Sequence, residues 1–152
     1  MDEILLNLDD YERVAAERMT TNAFGYYVGG ADDEVSLREN RAAFERVKLA
    51  PRMLVDVTTR DTSTAILGQK VGFPVVVAPM AMMKLAHRDG ELAMARAAGT
   101  HNIPMALSTL STARIETVGE AATAPMWFQI YVYRDREITR RMVERAEASG
   151  YT

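Results

Sequence analysis

Cysteine is absent from the sequence, which excludes disulfides, thiolate metal sites and cysteine nucleophiles. Histidine is scarce, with only His87 and His101, so no metal centre is expected. No segment reaches the roughly 18 consecutive apolar residues of a membrane-spanning helix. The opening stretch MDEILLNLDDYERV begins with acid and lacks the basic region and apolar run of a secretory leader, so a cytoplasmic location is the expectation. A surplus of one charge is missing too. Lys and Arg number 18 against 21 Asp and Glu, for a net charge of -3. Because these charges are interspersed, no basic stripe marks a nucleic-acid or membrane surface.

Of the 152 residues, 48% are hydrophobic, enough for one domain with a core. From residue 74 the pattern becomes periodic. Pro74 to Pro79 is a β-branched run that predicts a strand, followed by an Ala-rich helix capped at Asp89 with Leu92, Ala95 and Ala98 inward. Pro104 to Ser108 predicts a second strand, then a helix capped at Ser111 or Thr112 with Ile115, Val118 and Ala122 on one face. Met126 to Tyr133 predicts a third, followed by Asp135 as cap, a helix burying Ile138, Met142 and Ala146, and Gly150 as its stop. One helix per strand implies parallel βα units.

Residues 1–73 read differently. They predict three short helices, capped near Asp9, starting near Asn22, and starting at Asp32 or Asp33, with Gly29-Gly30 between the second and third. Residues 47 to 73 carry turn signals at Pro51, Gly68 and Gly72, as in a strand or hairpin wrapping one end of the sheet. The expected division is a helical and capping segment over 1–73 and three βα units over 74–152, all parts of one barrel domain. A closed eightfold barrel needs about 250 residues, so these residues are expected to be one part of a longer protein or to need a second chain to complete the barrel.

Chemistry in parallel βα folds lies at the C-terminal ends of the strands. Here those ends carry Pro79-Met80-Ala81, Ser108-Thr109, and Gln129 with Tyr131. If the third strand alternates, Trp127, Gln129, Tyr131 and Tyr133 share a face that bears no charge. Such a face either meets water or lines a site. A carboxamide and a hydroxyl suit the N–H and C=O edge of a planar heterocycle, and a phenol can donate to a carboxylate or hydroxyl oxygen. Asp32-Asp33-Glu34 reads as a helix N-terminus, and the ten methionines as core filler.

Six stretches in order carry a resemblance: YYVGGADDEVSLRENRAAF (26 to 44), PRMLVDV (51 to 57), ILG (66 to 68), VAPMAMMKLAHRDGE (77 to 91), ALSTLS (106 to 111) and WFQIYVYRDR (127 to 136). Together they resemble the FMN-dependent 2-hydroxy acid oxidases and dehydrogenases, the family of glycolate oxidase, lactate oxidase and mandelate dehydrogenase. The resemblance implies the N-terminal portion of an FMN-binding (βα)8 TIM barrel. It places Pro79, Met80 and Ala81 beside the flavin through their backbone, Ser108 near its N5 and O4 edge, and Gln129 on its pyrimidine side. Tyr26 matches the tyrosine that binds the substrate carboxylate. Tyr131 matches the catalytic tyrosine that hydrogen-bonds the substrate's oxygens.

The implied reaction is oxidation of a 2-hydroxy acid to the 2-oxo acid, with oxygen as the expected acceptor. The alternatives are a dehydrogenase using a quinone or cytochrome, and a non-catalytic scaffold fragment. The family's basic histidine and carboxylate-binding arginine match no residue here, and His87 and His101 are not at the base position, so these residues alone are expected to be inactive. Leu110 stands where plant-type glycolate oxidases carry a tryptophan at the pocket wall, and Ala81 matches the small residue of many oxidases. A homo-oligomer, a tetramer by resemblance, is the expected assembly.

Overall fold

An amide and a hydroxyl stand where the first two helices of the chain need acceptors for their N-terminal N–H groups. A computed structural model describes residues 4–152, which fall into two compact units, one up to Thr59 and one from Arg60 to Thr152. In the first unit α1 spans Leu8–Arg18, α2 Thr21–Val28 and α3 Val35–Arg46. The cap of α1 is Asn7, not Asp9: its side chain accepts the N–H of Asp10 at 3.0 Å. Asp9 instead meets the Arg41 guanidinium at 2.6 Å. Thr20 caps α2 through the N–H of Ala23. Neither Asp32 nor Asp33 caps α3, whose N-cap is Glu34 in the left-handed region with no capping side-chain bond; the Glu34 carboxylate accepts the N–H of Gly30 instead.

The second unit opens with an antiparallel hairpin, β1 Thr64–Ile66 and β2 Gln69–Val71. Leu67 and Gly68 both have positive φ, 49° and 78°, the backbone of a type I′ turn matched to strand twist. The hairpin docks on the entry side of the sheet. Gly72 N–H donates to Asn102 C=O at 2.8 Å, and Trp127 Nε1 donates to Gln69 Oε1 at 2.9 Å. Val71 is fully buried there.

Two parallel strands follow, β3 Met105–Ser108 and β4 Met126–Gln129, in register from Met105 opposite Met126 to Ser108 opposite Gln129. The strand expected over 74–79 is reduced to one parallel bridge, Val77 with Met105. Val77 N–H donates to Pro104 C=O and Ala106 N–H donates to Val77 C=O, both at 2.9 Å. Pro74 and Pro79 bound this run and have no N–H to extend the ladder. The third strand is also shorter than its alternation suggests, ending at Gln129, so Tyr131 and Tyr133 lie beyond it.

Helices α4 (Gly90–Thr100), α5 (Ile115–Ala121) and α6 (Arg136–Ala148) cover one face. The core joins Ala95 and Ala98 of α4, Ile115 and Val118 of α5, and Ala146 of α6 to Met105, Leu107 and Met126. Ile138 does not join it and is 46% exposed, because the first turn of α6 is not packed on this core. Asp135 caps α6 as expected, accepting the N–H of Glu137 at 2.9 Å. Gly150 ends it with φ +83°. Gly150 N–H donates to Glu147 C=O and Tyr151 N–H to Ala146 C=O, a Schellman closure. The closure buries Tyr151, whose hydroxyl donates to Ile115 C=O at 2.9 Å; burial and then Glu116 push its phenol up to about 12.

Asp89 holds the N-cap position of α4 as expected, though without a capping side-chain bond. The cap of α5 differs from expectation. For α5 the N-cap is Arg114. Ser111 instead closes a local turn, donating to Ala113 C=O and accepting Ala113 N–H, and the hydroxyl of Thr112 is committed to Glu91.

Candidate functional site

Parallel pairing of β3 with β4 puts Ser108 and Gln129 side by side at the last rung. Ser108, only 5% exposed, donates from Oγ to Gln129 Oε1 at 3.2 Å. Thr109 N–H donates to the same oxygen at 3.3 Å. A backbone N–H can only donate, so Oε1 is the atom on that side and the amide is oriented by the main chain. The Gln129 Nε2 group therefore points its two donors away from these partners, and no protein acceptor engages it among the described residues. Leu110 N–H donates to Ser108 Oγ at 3.1 Å, which leaves that oxygen one free lone pair.

Thr109 holds the two strand ends together. Its Oγ1 donates to Gln129 C=O at 2.5 Å and accepts the N–H of Tyr131 at 3.0 Å. Tyr131 is thereby tied at its backbone, while its side chain is 55% exposed. The loop after the Val77 bridge joins the same group, since Met82 N–H donates to Leu110 C=O at 3.0 Å. Pro79 and Met80 are exposed and Ala81 is partly so. The structure thus brings Ser108, Gln129, the Tyr131 backbone, Leu110 and the 79–82 loop to one end of the sheet. Tyr26 belongs to the other unit. It lies on α2, 48% exposed, its ring edge-on to Tyr27 at 5.2 Å.

Below this end sits a group that sequence reasoning did not single out. Glu91, in the first turn of α4, is fully buried. Its carboxylate accepts Thr112 N–H at 2.7 Å, the Thr112 hydroxyl at 2.9 and 2.7 Å, and Met83 N–H at 3.3 Å. Burial alone would push this carboxyl up, but the bonds from Thr112 outweigh it with help from Met83 and hold it below the ordinary range. It stays ionised at neutral pH. An acid in a helix's first turn ordinarily faces water and the macrodipole, so nothing along the chain signalled its burial. Thr109 was visible as a strand-end hydroxyl, but its latch depends on the register.

Neither histidine takes part. His87 is exposed and accepts the Asp89 N–H at its Nδ1, and His101 is exposed at the C-cap of α4. No group of three or more acidic, His or Cys side chains could hold a metal among the described residues. A groove of about 350 Å³ between β4 and α6 is lined by Phe128, Ile130, Val143, Ala146 and Tyr151. It lies on the face of β4 away from Gln129 and is mostly apolar, with Glu147 and Thr152 also in its lining.

Residues 15–152 match the family described as FMN-dependent dehydrogenase. The chain belongs to this family. It is similar to an L-lactate oxidase from Nostoc sp., 49% identical over 150 residues that cover 96% of this chain and 41% of the relative. A glycolate oxidase 3 from Oryza sativa subsp. indica is 43% identical, with 98% of this chain and 41% of the relative covered. Among solved structures, a soluble mutant of the membrane-associated (S)-mandelate dehydrogenase from Pseudomonas putida superposes with a TM-score of 0.91 at 36% identity. That match covers 98% of this chain and 42% of that one. The chain therefore spans about two fifths of the length of the relatives it matches. With these neighbours, the βα order of the second unit is that of a TIM barrel's N-terminal part.

The group at the strand ends fits the cofactor that the family name carries. The pyrimidine edge of a flavin has carbonyl acceptors beside an N–H donor. For such an edge this chain has the two amide donors of Gln129, the free lone pair of Ser108 Oγ and the adjoining 79–82 loop, tied in by Met82 N–H to Leu110 C=O.

Proposed function

We propose that the protein carrying this chain oxidises a 2-hydroxy acid to the corresponding 2-oxo acid with FMN, and that residues 1–152 form part of its single barrel domain. The observation that carries this reading is the oriented Gln129 amide, held by Thr109 N–H beside Ser108. FMN, when bound, supplies the acceptor for the two electrons and the α-hydrogen of the substrate. Pro79, Met80 and Ala81 would meet the ring through their backbone, Ser108 and Gln129 its polar edge. The Tyr131 phenol would donate to the substrate's oxygens, and Tyr26 to its carboxylate. The group that takes the hydroxyl proton and the cation that pairs with the carboxylate are assigned to further chain, in keeping with the two-fifths coverage. Oxygen is the proposed acceptor, giving peroxide, with a homotetramer in the cytoplasm as the expected setting.

The protein should bind FMN, and the bound flavin should bleach when a 2-hydroxy acid is added without air. Readmitting air should restore the colour with one peroxide per turnover. Failure to bind flavin would end the reading. Flavin reduction without peroxide would redirect it to a quinone or cytochrome acceptor.

Substrate size gives a separate expectation. Leu110 is 47% exposed on the loop after β3, anchored by its N–H to Ser108 Oγ. Leu110→Trp should narrow the proposed pocket, since a misfit of a few methylenes changes discrimination by about ten-fold or more. The ratio of kcat/KM for a bulky 2-hydroxy acid over a two-carbon one should fall by about ten-fold. An unchanged ratio would remove Leu110 from the pocket wall.

A further inference from the structure

Of the flavin contacts proposed above, Pro79 to Ala81 and Ser108 lie on or at the start of two segments that do not follow one another in sequence, while Gln129 ends β4. Residues 79–85 leave the Val77 bridge, and residues 108–114 leave β3. Their separation has to be held by something other than the β ladder, which ends at Ser108.

Glu91 joins them. Its Oε1 accepts Met83 N–H from the first loop at 3.3 Å and Thr112 N–H from the second at 2.7 Å. The Thr112 hydroxyl completes a ring by donating to the carboxylate and accepting Lys84 N–H from the first loop at 3.3 Å. One buried carboxylate and one hydroxyl thus cross-link the loops by main-chain donors on both sides. A glutamate is rarely buried to this extent without such a set of donors. Met82 N–H, donating to Leu110 C=O at 3.0 Å, adds a direct main-chain tie between the loops. Glu91 itself begins a helix, so its Cα is anchored to α4, whose Ala95 and Ala98 sit in the core.

We propose that Glu91, through Thr112, is a positioning residue that sets the spacing of the 79–85 and 108–114 loops and thereby flavin affinity, without touching the flavin. The inference rests on the flavin site proposed above. A role confined to stability would lower melting temperature but leave affinity unchanged well below the melt.

The test is an FMN titration of the full-length apoprotein by flavin fluorescence quenching, at a temperature where every variant is folded. Glu91→Leu keeps bulk and removes the acceptors, and Thr112→Val removes one hydroxyl at constant shape. Each should weaken FMN binding by about ten-fold or more, the scale of a lost hydrogen bond to a charged group. Glu91→Gln keeps an acceptor oxygen and Thr112→Ser keeps the hydroxyl, so both should stay within about three-fold of the parent. If Glu91→Leu does not fold, Thr112→Val against Thr112→Ser decides alone. Parental affinity in Thr112→Val would overturn the positioning role while leaving the flavin site intact. A parent protein that binds no FMN would overturn both.

Discussion

Replacing Gln129 with Leu should weaken FMN binding by about a hundred-fold. The expectation follows from the donors at the last rung of the sheet. Leucine removes the oxygen that accepts Ser108 Oγ–H and Thr109 N–H, so the Thr109 amide loses that acceptor. It also removes both Nε2 donors that face away from the protein. An unmade bond to a semi-buried donor costs about 1–3 kcal/mol, and each lost ligand bond about 1 kcal/mol. Together these come to roughly 3 kcal/mol, or two decades in Kd. The measurement is an equilibrium titration with FMN, with thermal melting of the apoprotein as the check on folding. Binding of FMN at parental strength would place the cofactor elsewhere.

The second large effect concerns the scaffold under that rung. Leu107 is fully buried, with 0% relative accessibility, and lies one residue before Ser108 in β3. Its face of the strand meets Val118 and Ile115 of α5 and Met126 of β4 in one cluster. Leu107→Ala should cost about 3–5 kcal/mol of unfolding free energy, as truncation of a buried leucine leaves a cavity that packed neighbours fill only in part. That is a large share of the roughly 5–15 kcal/mol that holds an ordinary domain. Denaturant unfolding of the protein with and without FMN would measure it. The exposed Leu85 serves as control, where Leu→Ala should change stability by less than about 0.5 kcal/mol. A cost below about 1 kcal/mol at Leu107 would mean that this core does not bear on stability.

These two residues show how differently the parts of the molecule could be read in advance. Leu107 was within a short apolar run, and runs of that kind predict buried parallel strands. Asp135 and Gly150 were legible as the ends of α6 because each acts on its immediate neighbours: the carboxylate accepts a nearby N–H, and glycine takes a positive φ. Ser111 and Thr112 offered equally good capping chemistry, yet neither caps α5. Their hydroxyls found other partners, one in a local turn and one on Glu91. The alternation drawn through Met126 to Tyr133 held only to Gln129, because the neighbouring strand β3 ends at Ser108 and offers no further rung.

By itself the sequence determined the order of strands and helices in residues 104–152, the turn at Gly68 and the membership of a flavin family. Each of these depends on short-range periodicity, turn chemistry or motif order. What only the tertiary structure decided is which polar atoms meet: Gln129 with Thr109 and Ser108, and Glu91 with Thr112 and Met83. Those partners are 20, 21, 21 and 8 residues apart. A hydrogen bond requires placement to within a few tenths of an ångström, and across such separations that placement comes from strand register and helix packing, which no local pattern encodes.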